Sequence, residues 1–288
     1  MEKVLVNTVP HSGTHLVTTI LDSFGYKQAV SNYRFYTVRP FFRRTQKAGI
    51  NWRADKDFKN LFSIFEKKTM LVSVASPRYV RPSIIRDLLS EVAEREYIIG
   101  HIPFSHKGKE VIEETIQKSV TIIRDPRDMA ISMINHVRTR PRHHAYTYLF
   151  GQLSSDSERF KAVLYGYKNK YGHINGVIKM YKSMLTWQND KNNLTIKFED
   201  LVGERGGGEK QSQLLCIRKI RDHLNLSLRI DDTDLNKIAD KAFGISGTFR
   251  KGKINGWKDV FTPLEKNFYR SYLGEFLVEL GYEKSLDW

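Results

Sequence analysis

The chain of 288 residues is long enough for one large α/β domain or two small domains, and its apolar and charged fractions, 40% and 27%, are ordinary for a globular protein. Its net charge of +15 favours anionic ligands, whether a nucleotide, a nucleic acid, a membrane surface or an acidic substrate. The single cysteine, Cys216, excludes an internal disulfide and a multi-cysteine metal site, and no apolar run approaches the ~20 residues that span a bilayer. Residues 4–9 are too short an apolar start for a signal peptide, so we expect a reducing, cytoplasmic location.

Apolar, strand-like segments alternate along the chain with amphipathic, helix-like segments. This alternation predicts an α/β fold in a single domain, residues 1–288, with a central parallel β-sheet covered by helices on both faces. Gly25 is placed to end the first helix, and the glycine-rich residues 203–211 are predicted to form an exposed loop. In chain order, strands are predicted at residues 3–9, 70–75, 97–100, 119–123 and 194–198, and helices at 14–24, 82–96, 109–118, from 126 onward, and at 165–188 with a break at Gly172.

The loop after the first predicted strand, "PHSGTH" (residues 10–15), has the features of an oxyanion site. Gly13 allows a ligand to approach the backbone, Ser12 and Thr14 offer hydroxyl donors, and the following helix would add free amides and its positive dipole end. The lysine-bearing pattern of a Walker loop is missing. A helix start that is merely capped, with no ligand, is the alternative explanation.

A second segment, "IIRDPRDMAIS" (residues 122–132), places a cation at a strand end. Arg124 follows the apolar strand, and Ser132 lies one to two turns into the predicted helix. An arginine can bind a phosphate bidentately, so this pair suits a second phosphate group. Alternatively, Arg124 pairs with Asp125 or Asp128 at the start of the helix.

A third basic segment lies near the end of the chain, in "GTFRKGKINGWK" (residues 247–258). Arg250, Lys251 and Gly252 offer two cations and a permissive backbone, which suits a terminal phosphate monoester, and Phe249 could lie beside a base. A solvated basic loop is the alternative explanation.

Two more predicted strands end in polar groups. His101 follows "YIIG" (97–100), and Phe198 with two carboxylates follows "LTIK" (194–197). Histidine titrates near neutral pH, so His101 suits proton transfer, although an ordinary core histidine would look the same in the sequence. Ligands of parallel sheets bind beyond the carboxyl ends of the strands, so one anionic ligand could touch several of these groups.

Five segments, in this order, resemble motifs of the sulfotransferase family that uses 3′-phosphoadenosine 5′-phosphosulfate (PAPS). "PHSGTHL" is similar to the family's 5′-phosphosulfate loop, P-K/R-S-G-T-T-x, and "VTIIRDPRDMAIS" to its 3′-phosphate strand and helix. "GHIPFS" resembles its H-L-P segment, "IKFEDL" its Y-E-D-L segment, and "FRKGKINGWKDVFT" its C-terminal R-K-G-x-x-G-x-W-K motif. The resemblance runs from residue 6 to about residue 262 and implies one kinase-like α/β domain.

The resemblance also implies roles for individual residues. His101 would be the general base that takes the acceptor's proton, and no metal would be needed. Charge develops on the leaving phosphate oxygen, so cations and amides there would lower the barrier. The 5′-phosphosulfate would contact His11, Ser12, Gly13, Thr14, His15 and Leu16; the 3′-phosphate would contact Arg124, Ser132, Arg250, Lys251 and Gly252; the adenine would lie among Phe198, Phe243 and Phe249.

The sequence departs from the family pattern at several positions. His11 replaces the loop lysine or arginine, His15 replaces the second threonine, and Leu16 stands where an aromatic residue is frequent. Phe198 replaces a tyrosine. We expect His11 to contact the leaving group in protonated form, held charged by the adjacent sulfate and phosphates. The family's dimer motif is only partly matched, by Lys258 and Thr262, so no oligomeric state is predicted.

The acceptor is expected to bind in the least matched regions, residues 30–80 and 140–190, which are rich in arginine and aromatic residues. Such a pocket suits a small organic acceptor rather than a nucleic acid or a membrane. The short chain and its R-D-P-R-D pattern resemble bacterial members, which favours a natural-product tailoring enzyme. Hydroxyl and amine or guanidine acceptors stay equally open. The aromatic residues are Tyr33, Phe35, Tyr36, Phe41, Phe42, Trp52, Tyr146, Tyr148, Phe150 and Trp187.

Three other functions remain compatible with the sequence. A nucleotide-kinase-like phosphoryl-transfer enzyme would need a loop lysine, which is absent, and magnesium ligands. A non-catalytic binder of nucleic acid or another polyanion would follow from the charge of +15 and would not need His101. A sulfotransferase-like protein that has lost its activity would follow from the histidine at position 11.

Overall fold

The computed structural model describes residues 2–31, 46–47, 49–50, 66–243 and 252–288. Its strands are short and mostly buried, as expected for segments rich in valine and isoleucine. The strands are β1 (Val4–Asn7), β2 (Lys27–Gln28), β3 (Val30–Ser31), β4 (Gln46–Lys47), β5 (Gly49–Ile50), β6 (Met70–Val72), β7 (Arg78–Val80), β8 (Glu96–Gly100), β9 (Lys118–Ile123), β10 (Gly166–Asn169), β11 (Gly172–Asn175) and β12 (Asn193–Lys197).

The helices begin at residues suited to capping. Ser105, Asp125, Ser155 and Asp231 each accept a hydrogen bond from a backbone N–H of the first turn. The helices are α1 (Thr14–Ser23), α2 (Pro82–Ser90), α3 (His106–Glu113), α4 (Pro126–Arg138), α5 (Tyr146–Gly151), α6 (Asp156–Tyr165), α7 (Val177–Leu185), α8 (Phe198–Leu201), α9 (Lys210–His223), α10 (Asp232–Ala242), α11 (Trp257–Val260) and α12 (Pro263–Glu279), with 3₁₀ turns at Thr186–Asn189 and Glu204–Gly206.

The central sheet has the strand order β12-β9-β1-β8-β2, and β5 also pairs with β8. Every pairing in this sheet is parallel. β1 lies in the middle, with Val4 opposite Tyr97 on one side and Lys118 on the other. The carboxyl ends of β1, β8, β9 and β12 therefore meet at one edge, where a parallel sheet binds its ligands.

Two hydrophobic cores cover the two faces of the sheet. Leu5 of β1 points into one core, with side chains of α2, α4, α7 and α12, whereas its neighbours Val4 and Val6 point into the other, with α1, α9 and α10. This alternation follows from the two-residue period of a strand. The predicted parallel sheet with helices on both faces is confirmed.

The predicted helix over residues 165–188 is wrong in its first half. Residues 166–175 form an antiparallel hairpin, in which Gly166 pairs with Asn175 and Asn169 with Gly172. Gly166 has φ +78°, and a Cβ there would lie 2.3 Å from Gly176 N, so the backbone approach requires glycine. Only α7 retains the predicted helical character. The glycines were therefore the signal of a turn and not of an interrupted helix.

Three other predicted elements and one predicted loop differ from what the structure shows. The strand predicted at 70–75 forms β6, which pairs with β7 in an antiparallel hairpin outside the central sheet. The helix predicted at 82–96 ends at Ser90, and that predicted at 109–118 starts earlier, because Ser105 caps it. Residues 203–211 are only partly exposed, since Gly203 and Gly206 are buried.

One buried cation fixes the end of the chain against the start of α4. Arg127 is 1% exposed, and its guanidinium lies 2.6 Å from Asp125 and 2.6 Å from Glu283. The same group lies over the rings of Trp257, at 3.8 Å, and Trp288, at 4.3 Å. Two carboxylates and two aromatic faces thus compensate for the lost hydration of this charge. Among the described residues, no helix is long and apolar enough to cross a membrane.

Candidate active site

The loop between β1 and α1 is held in an unusual backbone conformation. His11 has φ +67° and Gly13 has φ +109°, and Ser12 N donates to Val9 O at 3.2 Å. A Cβ at Gly13 would lie 2.6 Å from a ring carbon of Phe198, so only glycine fits between this loop and the ring. Gly13 is also the N-cap of α1, and no side chain caps the first turn. The first turn of α1 therefore faces the loop without a competing side-chain acceptor.

Two buried polar atoms beside this loop fit an anionic ligand. Ser12 is fully buried, and neither Ser12 Oγ nor Arg124 Nε has a partner within hydrogen-bonding distance among the described residues. The hydroxyl of Tyr181 lies next to Ser12, but it donates to Arg124 O at 2.6 Å. Buried donors normally have acceptors, so these two donors fit phosphate or sulfate oxygens.

The segment after β8 is anchored to β1 and to the 3₁₀ turn at Thr186–Asn189. The Asn7 side chain makes two hydrogen bonds with the backbone of Ile102, at 2.8 and 3.1 Å. Trp187 Nε1 donates to the same carbonyl at 2.9 Å, and Val74 N donates to His101 O at 2.7 Å. These contacts hold His101 rigidly beside the loop, as a catalytic group requires.

The hydrogen bonds of His101 define its tautomer. Its Nδ1 lies 2.7 Å from Thr8 O, a carbonyl that can only accept, so Nδ1 carries the proton. In the neutral ring Nε2 is then free to accept a proton. Burial lowers the pKa of His101 below its usual value, with a smaller opposing effect of the Thr8 hydrogen bond. The neutral form, which can act as a base, is therefore favoured at pH 7.

A histidine row extends from the loop, formed by His11, His136, His143 and His144. Successive ring centroids are 4.8, 5.5 and 4.3 Å apart. Loss of solvent lowers the pKa of His11 well below its usual value, and the neighbouring histidines and Arg124 lower it further. Burial likewise lowers the pKa of His143 to about 4. Within the described part of the chain, no group of three or more His, Cys, Asp or Glu side chains is arranged to hold a metal ion.

Arg124 joins three segments at the end of β9. Its Nη2 donates to Lys253 O at 2.8 Å, and its guanidinium lies 4.4 Å from the centre of the Phe198 ring. Asp128 is 3.8 Å away, so the predicted alternative of an Arg124–Asp128 pair is partly realised. Asp128 also accepts from Trp257 N at 2.8 Å. The second and third basic segments of the sequence therefore meet at Arg124.

Two buried carboxylates surround Arg124 and hold their protons more strongly than usual. Burial raises the pKa of Asp128 to about 6 and that of Glu199 to about 7. Glu199 accepts from Asp125 N at 2.8 Å, which fixes the first residue after Arg124. Near neutral pH these groups are partly neutral, so they compete only weakly with an anion for the guanidinium.

The other predicted site residues occupy different environments. His15 is exposed, whereas the side chain of Leu16 is in the core, so Leu16 could reach a ligand only through its backbone. Ser132 is half-buried in α4, and Phe243 lines a cavity of about 50 Å³ beside Val202. Outside the described residues lie Phe249, Arg250, Lys251 and the acceptor-region aromatics Tyr33, Phe35, Tyr36, Phe41, Phe42 and Trp52.

Gly206 packs against the segment around Gly252 and Ile254 in the third basic motif. Ile254 N donates to Gly206 O at 2.9 Å, and a Cβ at Gly206 would lie 2.6 Å from Gly252 O and 2.2 Å from a methyl of Val202. Gly206→Ala is therefore expected to cost ~1–3 kcal/mol of stability by overpacking, and to weaken nucleotide binding by displacing Gly252. Thermal unfolding and nucleotide titration would measure both effects.

The matched control for this change is Gly151→Ala. An added methyl at Gly151 meets nothing within 4 Å, so stability and binding should stay as in the wild type. Equal behaviour of the two variants would show that the close approach at Gly206 does not position Gly252.

Three residues of the candidate site were not predicted from the sequence. Thr8 contacts both His101 Nδ1, at 3.1 Å, and Thr14 Oγ1, at 2.8 Å, and it could have been found as a hydroxyl at the end of the first strand. Tyr181 carries no local signal, since it reaches Arg124 from a helix 57 residues further along the chain. His136 lies one turn beyond Ser132, and only the fold shows that it faces His11.

Comparison with known proteins agrees with these motifs. The sulfotransferase domain family matches residues 1–281 of the chain. No curated protein sequence matches the chain significantly. A similar solved structure is that of mouse sulfotransferase SULT7A1 complexed with PAP, the 3′-phosphoadenosine 5′-phosphate product of PAPS, which is 18% identical with a TM-score of 0.57 over 96% of this chain and 84% of that chain.

Two structures of retinol dehydratase are also similar. The complex with androsterone and the inactive cofactor PAP is 16% identical, with a TM-score of 0.56 over 96% of this chain and 80% of that chain. The complex with retinol and PAP is 17% identical, with a TM-score of 0.54 over 96% and 81%. These similarities establish a shared fold, and the family match spans nearly the whole sequence. The chain therefore belongs to the sulfotransferase family.

Proposed function

We propose that this protein transfers a sulfuryl group from PAPS to a hydroxyl, or to an amine or guanidine nitrogen, of a small organic acceptor. The observation that carries the proposal is the placement of His101. Its Nδ1 is held by Thr8 O, which leaves Nε2 available as a base beside the loop that carries Ser12 and His11. A kinase-like phosphoryl-transfer enzyme would need a lysine in this loop, which the sequence lacks.

Different residues of the site would bind the two ends of the donor. Ser12, Thr14 and the first turn of α1 would bind the 5′-phosphosulfate, and Arg124 with Ser132 would bind the 3′-phosphate. When bound, PAPS supplies an activated sulfuryl group whose bond to the bridging phosphate oxygen breaks as the bond to the acceptor forms. His101 Nε2 accepts the proton that the acceptor loses.

The proposal extends to the setting of the reaction. We take residues 1–288 as one domain acting without a metal ion, and we place the enzyme in the cytoplasm, where a lone cysteine stays reduced. A role in natural-product tailoring follows from the bacterial resemblance of the sequence.

The decisive experiment is calorimetric titration of the protein with PAP, in the absence of magnesium, beside a parallel titration with ATP. Micromolar or tighter binding of PAP, with a strong preference over ATP, is expected. Binding of neither nucleotide, or equal binding of both, would overturn the proposal and favour the kinase-like or polyanion-binding alternatives. Salt-dependent binding of single-stranded DNA without PAP binding would identify the latter.

His11→Lys tests the role of the unusual loop residue. Burial lowers the pKa of His11, and neighbouring histidines and Arg124 lower it further, so protonation of His11 must be driven by the bound anion. The attraction between protonated His11 and the anion is present below the pKa that His11 has when the anion is bound. It is lost as the pH rises through that pKa, whereas a lysine stays charged. Activity in His11→Lys is therefore expected to be kept or raised, and the ratio of kcat/KM between variant and wild type should increase from pH 6 to pH 8.

The matched control is His106→Lys, which introduces the same change at an exposed histidine on α3. It should leave the pH profile unaltered. Severe loss of activity in a folded His11→Lys protein would show that His11 does not stand in for the family's loop cation.

A further inference from the structure

One side of the candidate site is formed by segments that are rich in basic residues. Residues 67–86, 129–155 and 159–189 contain lysine, arginine and histidine but no aspartate or glutamate. They form the hairpin β6–β7, most of α4 with the segment that follows it, and the run from α6 to α7. The ion pairs that these segments make use acids outside them, such as Asp156 with Arg138 and Glu114 with Arg86.

These segments contact one another next to His101. Asn175 N donates to Ala75 O at 2.7 Å, and Asn175 Nδ2 donates to Val74 O at 2.8 Å, so the two hairpins touch. Val74 in turn binds the backbone of His101. Arg78 of β7 is close enough to lower the pKa of both His144 and His173, although burial is the larger cause for each.

Arg140 and Arg142 line a cavity of about 490 Å³ together with Pro141 and His143. No described carboxylate lies within ion-pairing distance of either arginine, whereas Arg138, two residues earlier, pairs with Asp156 at 2.6 Å. Arg140 is held in place, since its Nη1 donates to His136 O at 3.2 Å.

The cavity is connected to the reacting groups by the histidine row. His143 lines the cavity, and His136 packs against His143. His11, in the loop between β1 and α1, packs against His136. We define the basic wall as Arg78, Arg140, Arg142, His136, His143 and His144. An elongated ligand that binds at the arginines would have to extend along this row to reach the loop between β1 and α1.

We infer that the acceptor is an organic anion, whose carboxylate, phosphate or sulfate group binds to Arg140 and Arg142 of the basic wall while its nucleophile faces His101. This inference rests on the proposed function and specifies its substrate class. Arginines that no described carboxylate pairs can attract anions and bind them bidentately, whereas an apolar acceptor would not use either charge.

Binding to the PAP-loaded protein tests this inference directly. The probes are matched pairs that differ in charge: 4-hydroxyphenylacetate with its amide, and phenyl phosphate and phenyl sulfate with phenol. The anionic members are expected to bind at least tenfold more tightly, and their advantage should shrink between 50 and 500 mM NaCl. Comparison of the three anions identifies the preferred group. Equal or better binding of the neutral members, or no anion binding at millimolar concentration, would overturn the inference.

Variants distinguish the arginines from the general charge of the protein. Arg140→Gln/Arg142→Gln should abolish most of the anion preference, and Arg140→Lys/Arg142→Lys should retain part of it. The control Lys237→Gln/Lys284→Gln removes the same charge outside the basic wall and should change nothing. Retention of the preference in the double glutamine variant would overturn the assignment. Titration of the same samples with PAP separates the two proposals: failure to bind PAP contradicts the proposed function, whereas PAP binding without anion preference contradicts only this inference.

Discussion

His101→Ala is expected to lower kcat for sulfuryl transfer by a factor of about 10²–10⁴, the usual contribution of a positioned general base. PAP binding should be nearly unaffected, because the role proposed for His101 is proton transfer from the acceptor and not binding of the nucleotide. In the wild type, burial lowers the pKa of His101, and only the neutral ring can accept the acceptor's proton. The kcat/KM profile should therefore rise with pH through a pKa below 6.5 and then stay level, and the variant should lose this rise. Rate measurements from pH 5 to pH 9 with a saturating donor would show both effects.

The control for this change is His106→Ala. His106 is exposed and packs edge-on against Phe104, only five residues along the chain from His101. It should retain full activity and the wild-type pH profile. If His101→Ala kept more than a tenth of the activity, the base would have to be sought in the histidine row.

Arg124→Gln is expected to weaken PAP binding about tenfold to a hundredfold, since hydrogen bonds to a charged group contribute ~1.5–3 kcal/mol. Affinity for adenosine 5′-phosphate, which lacks the 3′-phosphate, should change little. The difference between the two ligands isolates the 3′-phosphate contact from any general damage to the site. Isothermal titration of both nucleotides to both proteins gives the four binding constants.

This substitution also removes the cation beside a buried acid, so stability needs its own control. Burial already raises the pKa of Asp128 to about 6, and Arg124 opposes that rise. A carboxyl whose folded pKa is raised destabilises the protein when it ionises, so Arg124→Gln should lose more stability at pH 8 than at pH 5. Arg124→Gln/Asp128→Asn should remove this pH dependence while leaving the loss of PAP affinity. Equal loss for both nucleotides would contradict a 3′-phosphate role for Arg124.

The order of elements could be predicted because it depends on local patterns. Val4, Leu5 and Val6 are apolar on both faces of a strand, which marks a central position in a parallel sheet. The polar residues at the strand ends then had to meet at one edge, and the structure brings Arg124, Phe198 and the loop around Gly13 together there. The hairpin at residues 166–175 was missed, although its glycines indicate a turn and its tyrosines and isoleucine are frequent in strands.

The features that could not be predicted depend on contacts distant in sequence. His11 and His136 lie 125 residues apart, and only the packing of α4 beside the loop brings their rings to 4.8 Å. The same is true of the uncompensated charge on Arg140, since a sequence does not show which acid will reach which base. The protonation state of His101 depends on Thr8 O, a backbone atom with no signature in the side-chain pattern.

Arg127 can be buried only when residues far apart in the sequence have come together. Asp125 and Arg127 emerge from the ribosome long before Glu283 and Trp288, yet the guanidinium is buried only when all of these are in place. A desolvated cation without its partners is costly, so the nascent chain must keep this region open to water. Trp257 also joins Arg127 to Asp128 beside Arg124, so Glu283 and Trp288 stabilise the surroundings of the proposed 3′-phosphate site. A variant that lacks residues 283–288 is therefore expected to bind PAP more weakly than the full sequence.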